Sequence, residues 1–168
     1  MRMSIMAGSV ALALWGCATA PKTVTIATPY NPDDFVPWTE KGSSTLRGQA
    51  FLKTVGGDVK TCAGNDVILM PATKYNKEVM VNFTSINSSV KFTNRSPDAA
   101  RFNVKAICDA QGNFSFSGLP SLEWYVITDV FWGVPSGAKI ERQGGPVEKL
   151  MALSPGENSV TLTDRDRF

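Results

Sequence analysis

From Ser43 to its C-terminus the chain interrupts itself at short intervals, and this punctuation restricts it to folds built from short strands. Gly56-Gly57-Asp58, Ala63-Gly64-Asn65-Asp66, Asp109-Ala110-Gln111-Gly112, Gly118-Leu119-Pro120, Gly144-Gly145-Pro146 and Ser154-Pro155-Gly156 are clusters of turn formers. Between them lie alternating or continuously apolar segments: Ser44–Lys53, Val67–Met70, Arg101–Cys108, Asn113–Ser117, Glu123–Trp132, Ala138–Arg142, Val147–Leu153 and Ser159–Thr163. Glu123–Trp132, EWYVITDVFW, is the strongest strand signal, being β-branched and aromatic almost throughout. Tyr75, Val79 and Asn82 stand near helical spacing and predict one or two helical turns over Lys74–Asn82. Thr84–Asp98, rich in Ser, Asn and Thr, reads as a long loop or a frayed strand pair. About seven short strands and no bundle-forming helix predict an all-β sandwich over residues 43–168.

The 168 residues suit one domain. With 43% hydrophobic and 19% charged residues and a net charge of +2, the chain is neither disordered nor a binder that neutralises many phosphates. Its zero histidines remove Ser-His-Asp and Cys-His nucleophilic sites and His-ligated metal centres. No cofactor, metal or nucleic-acid partner is expected, and no enzymatic activity. Asp33, Asp34 and Glu40 lack the DxDxDG spacing of a calcium loop. Glu78, Ser88, Ser89 and Lys91 have no spacing that suggests a Ser-Lys site. Asp164-Arg165-Asp166-Arg167 reads as a solvated end, because charge on both parities excludes a lipid-facing barrel strand ending at Phe168.

Met1–Cys17 is an address. Arg2 precedes an uncharged apolar run, Met3–Trp15, that is the length of a signal-peptide core and too short to span a bilayer. Leu14-Trp15-Gly16-Cys17 resembles a bacterial lipobox, departing from it at Trp15. That resemblance implies cleavage before Cys17 and lipidation of its side chain and new N-terminus; more than one acyl chain gives stable membrane attachment. Ala18 stands where the inner-membrane retention aspartate of enterobacterial lipoproteins would be, which implies an outer-membrane, periplasm-facing location. Cleavage after Ala20, as in a plain signal peptide, is disfavoured by Pro21. The expected organisation is signal peptide 1–16, lipidated N-terminus and proline-rich tether 17–42, and sandwich 43–168. Pro21, Pro29, Pro32 and Pro37 suit a spacer, although Thr23–Ile26 alternates like an edge strand and Phe35, Val36 and Trp38 are large for a loose linker.

Cys62 and Cys108 remain for a disulfide, which an oxidising periplasm permits; two separate buried thiols are the alternative. Trp124 and Trp132 share a parity on one strand and are the candidate ligand-contact aromatics, against the alternative that their face is core.

Asp109-Ala110-Gln111-Gly112-Asn113-Phe114-Ser115-Phe116, followed by Gly118-Leu119-Pro120 and Trp124-Tyr125-Val126, is similar to the carboxypeptidase regulatory-like, transthyretin-like sandwich domains. In that family a D-x-x-G-x-F-x-F hairpin precedes a Leu-Pro turn and a tyrosine-bearing strand. Ser121-Leu122-Glu123-Trp124 replaces the family's usual Pro-Gly pair. The resemblance implies a prealbumin-like fold and a non-catalytic binding or scaffolding unit. The leading expectation is therefore a membrane-anchored envelope module with a protein partner. The alternative is a carbohydrate- or peptidoglycan-binding lipoprotein that uses exposed aromatics.

Overall fold

The computed structural model describes residues 22–84 and 90–167. In chain order the elements are β1 (Lys22–Val24), a 3-10 turn (Pro32–Thr39), β2 (Ser44–Lys53), β3 (Val59–Thr61), β4 (Asp66–Pro71) and α1 (Lys74–Thr84). There follow β5 (Val90–Phe92), a second 3-10 turn (Pro97–Phe102), β6 (Val104–Ile107) and β7 (Asn113–Leu119). β8 (Glu123–Ser136), β9 (Lys139–Ala152), β10 (Gly156–Leu162) and a short 3-10 turn (Asp164–Asp166) complete the chain.

β2 is the axis of one sheet, pairing parallel with β10 and antiparallel with β7 and β3. The second sheet runs β6-β4-β8-β9, antiparallel throughout. Alternate residues of the two sheets, among them Leu46, Leu69, Phe114, Trp124, Val126 and Val147, meet in one buried core. This is the all-β sandwich that the alternation and turn clusters predict.

The Asp109–Phe116 segment is not the expected hairpin: β6 pairs with β4 and β7 with β2, and the Asp109–Gly112 turn carries the chain from one sheet to the other. Asp109 Oδ1 accepts from the backbone N–H groups of Gln111 (2.9 Å) and Asn113 (2.8 Å), and Oδ2 accepts from Asn113 Nδ2 (3.0 Å). These bonds, led by the one from the Asn113 side chain, hold the Asp109 carboxyl below its ordinary range. Gly112 adopts φ +81°, and a Cβ there would lie 2.7 Å from the Ala50 carbonyl oxygen. Phe114 and Phe116 then enter the core on one parity. The Cys62–Cys108 disulfide, with Cα atoms 5.8 Å apart, ties the start of this crossing to the turn before β4.

Several expectations need correction. Gly144-Gly145-Pro146 does not divide two strands, since β9 runs through it in register with β8 from Lys139 to Ala152. β9 is an edge strand of its sheet, where a proline and a residue at φ +99° (Gly144) are tolerated. Arg101 and Phe102 belong to the 3-10 turn, and the strand begins at Val104. Thr84–Asp98 contributes β5, which pairs parallel with β1. Asp164–Arg167 is not merely solvated: Asp164 accepts from Lys53 N (3.1 Å), Asp166 pairs with Lys149 (3.7 Å), and Arg167 donates to Gly144 O (3.0 Å).

The largest departure concerns the spacer read over 17–42, whose described part is packed. Ile26 and Phe35 are buried with Tyr75, Val79 and Ala99 in a second core, where Phe35 stacks on Phe102 at 4.6 Å. Glu78 on α1 accepts from the backbone N–H groups of Ala27 (2.6 Å) and Thr28 (2.7 Å), and the Asn94 carboxamide grips both backbone groups of Ile26 (2.8 Å each). Prolines start and punctuate this stretch without loosening it, because Ile26, Tyr30 and Phe35 supply apolar surface that water would otherwise cover. Helix α1 forms where Tyr75 and Val79 predict it. Thr73 Oγ1 caps it by accepting from Asn76 N at 3.2 Å, and Met80 packs on Met70 and Tyr125 of the second sheet.

Candidate binding cleft

Trp38 closes the Pro32–Thr39 turn as a ridge between two clefts. Its indole Nε1 donates to the Glu123 carbonyl at 2.8 Å, and the half-buried ring leans on the sandwich core. On one side a cleft of about 400 Å3 runs between Trp38–Lys41, the Arg101–Val104 segment and the Ser117–Pro120 turn. Phe102 lines it, and Glu40, Lys41 and Arg101 are exposed at its rim. Gly42 lets the chain close on that turn, since a Cβ there would lie 2.0 Å from the Leu119 carbonyl oxygen, and Gly42 N donates to Gly118 O at 3.0 Å. Beyond Trp38 a cleft of about 330 Å3 is bordered by Asp34, Thr73, Lys74 and Lys77.

Asn103 forms a wall between the first cleft and a further one of about 350 Å3, which Arg95, Ser96, Asn76 and Met70 also line. Its Oδ1 is buried and has no hydrogen-bond partner among the described residues. Leaving such an acceptor unsatisfied costs roughly 1–3 kcal/mol. Two aromatic faces, a carboxamide with spare capacity and a charged rim make this a place for a polar ligand with an apolar side.

A larger groove, about 580 Å3 beside β6 and β7, is less suited to a ligand. Its charged groups are already engaged: Arg47 pairs with Glu157 at 3.5 Å, and Asp109 is spent on its own turn.

The sequence-predicted residues fall elsewhere. Trp124 is 0% exposed at the centre of the core, so it cannot present its ring to a ligand. Trp132 is half-buried on the same face, packed against that core and across Gly144, where a Cβ would meet its Cζ3 at 2.8 Å. Cys62 and Cys108 are bonded to each other inside the core. Cys17, with Ser88 and Ser89, lies outside the described residues. Glu78 clamps the N-terminal segment, and its carboxyl is held below the ordinary range, first by a hydrogen bond with the Thr28 side chain. Trp38, Phe102, Asn103 and Arg95 were not singled out for binding. The available signal was Trp38 itself, a large aromatic in a segment too apolar for a free spacer.

No family model and no curated protein matches the chain. Among solved structures, it is similar to a Pseudomonas aeruginosa protein provisionally described as carbohydrate binding. The TM-score is 0.67 at 23% identity, over 81% of this chain and 98% of that one. At that identity the likeness is one of fold.

Proposed function

We propose that this chain is a non-enzymatic carbohydrate-binding module, held at a bacterial outer membrane by a lipidated Cys17 and facing the periplasm. The observation that carries the binding role is the cleft flanked by Trp38 and Phe102, with the Asn103 carboxamide in its wall. A sugar ring offers an apolar face of C–H groups and an edge of hydroxyls. An aromatic ring beside a hydrogen-bonding wall complements both. Reaching Asn103 Oδ1 requires the carboxamide to turn toward the cleft, and a ligand hydroxyl then supplies the missing donor. The fold it shares with the Pseudomonas protein adds support, and both considerations place glycan binding ahead of the assembly-module expectation. On the same reading the sandwich is transthyretin-like, as the Asp109–Phe116 sequence motif suggests.

The test is titration with an oligosaccharide panel, read by tryptophan fluorescence and by amide chemical shifts. Binding should quench Trp38 and shift residues 101–104 and 117–120. Trp38→Ala should weaken it at least about tenfold, while Trp38→Phe, which keeps an aromatic face, should retain most of the affinity. Binding with no response in Trp38 or its neighbours would reject this cleft.

A further inference from the structure

Behind Asn103, the third cleft has a composition of its own. At about 350 Å3 it lies at the small end of ligand-sized pockets, roughly 300–1,000 Å3. Among the described residues Arg95 is the only charged one lining it. The guanidinium lies 5.9 Å from the centroid of the Phe92 ring, which orients it without using its N–H groups. Among the described residues Arg95 makes no ion pair and no hydrogen bond, so its five donors are unspent. Asp98, the carboxylate nearest to Arg95 along the sequence, is engaged with Arg101 at 3.4 Å. Ser96 lies next to Arg95 on the lining, and Asn103 lines the same wall. The Asn76 carboxamide, by contrast, already donates to Pro71 O at 2.8 Å.

We infer that this cleft takes the carboxylate-bearing ring of an acidic, uronic-acid type glycan, with Arg95 as the partner of the carboxylate. The inference rests on the glycan reading above and names its ligand class. A planar guanidinium with free donors matches a carboxylate in bidentate fashion. A single cation, with no second one among the described lining residues, suits a monoanion better than a phosphate ester. Asn103, common to both clefts, places the acidic ring next to a ring lying against Trp38 and Phe102.

The test compares oligogalacturonate and oligoglucuronate with their methyl esters, which keep the sugar backbone and remove the charge. Calorimetry on the full chain in detergent should give roughly 10- to 100-fold tighter binding of the acids. Arg95→Gln should reduce the acids to the level of the esters, and Arg95→Lys should restore part of the preference. Arg95 is exposed, so these variants should fold, and unchanged melting curves check this. Equal affinity for acid and ester would overturn the acidic-ligand inference and leave glycan binding standing. A preference that survives Arg95→Gln would overturn the assignment to this cleft. Failure of acids, esters and a neutral panel alike would overturn glycan binding itself.

Discussion

Glu148 sits on β9 opposite Ile127, with its Oε2 buried and unpartnered among the described residues. Burial raises its pKa from 4.5 to about 7. Tyr125 nearby is also pushed up, mainly by burial and then by the negative charges of Glu148 and Glu123. Between these two values the folded chain holds a proton that the unfolded chain has released, so stability falls as pH rises from about 4.5 to about 7 and then levels off. Glu148→Gln removes this slope. For a half-buried, partly screened group the expected gain at pH 8 is about 1–2 kcal/mol, a few degrees in Tm, with no gain at pH 4. Melting curves at pH 4, 6 and 8 check this; parallel curves for the two proteins would mean that Glu148 is solvated. The burial of Glu148 was not legible in the sequence, where it is one more charged residue in an alternating segment.

The elements were more legible than their contacts. Strand alternation and turn chemistry are local, and β2, β4, β7, β8 and β10 form close to where they are expected. The failures are equally informative. Gly144-Gly145-Pro146 carries every local mark of a break, yet β8 supplies partners along its whole length and overrides them. Phe102 fits the strand parity of Val104 and Ala106 but turns to stack on Phe35, a residue far away in sequence. The disulfide reinforces two turns that backbone hydrogen bonds from Gly64 N to Cys108 O (3.1 Å) and from Cys108 N to Asn65 O (3.0 Å) already join. Its loop of 46 positions is worth about 4 kcal/mol in the loop-entropy picture. Replacing Cys62 and Cys108 with alanine should lower the urea midpoint by a corresponding amount, because the unfolded chain gains freedom and two buried side chains shrink. An unchanged midpoint would show that the sheets carry this region unaided.

For the whole molecule, the address and the domain meet at the N-terminal segment. Residues 22–42 are sewn onto the domain by Glu78, Asn94 and the burial of Phe35, and Lys22 stands five positions after the proposed lipid-bearing Cys17. The domain is therefore expected to be held close to the membrane surface. Cys17→Ser should move the protein from the membrane to the soluble fraction without altering its melting curve; retention in the membrane fraction would remove the lipid anchor. At the other extreme, the β8–β9 ribbon runs past the sheets, where its exposed residues include Ile140, 78% accessible. By itself the sequence determined the strand-and-turn class, the Asp109–Gly112 turn and the cysteines available to pair, because each depends on residues a few positions apart or on composition. Only the tertiary structure decided which aromatic is core and which borders a cleft. Trp124 disappears beneath the opposite sheet, while Trp38, Phe102 and Asn103 border a cleft closed by the Ser117–Pro120 turn. Burial and clefts are properties of surfaces brought together from distant parts of the chain, and no local pattern specifies the surface that will arrive on the other side.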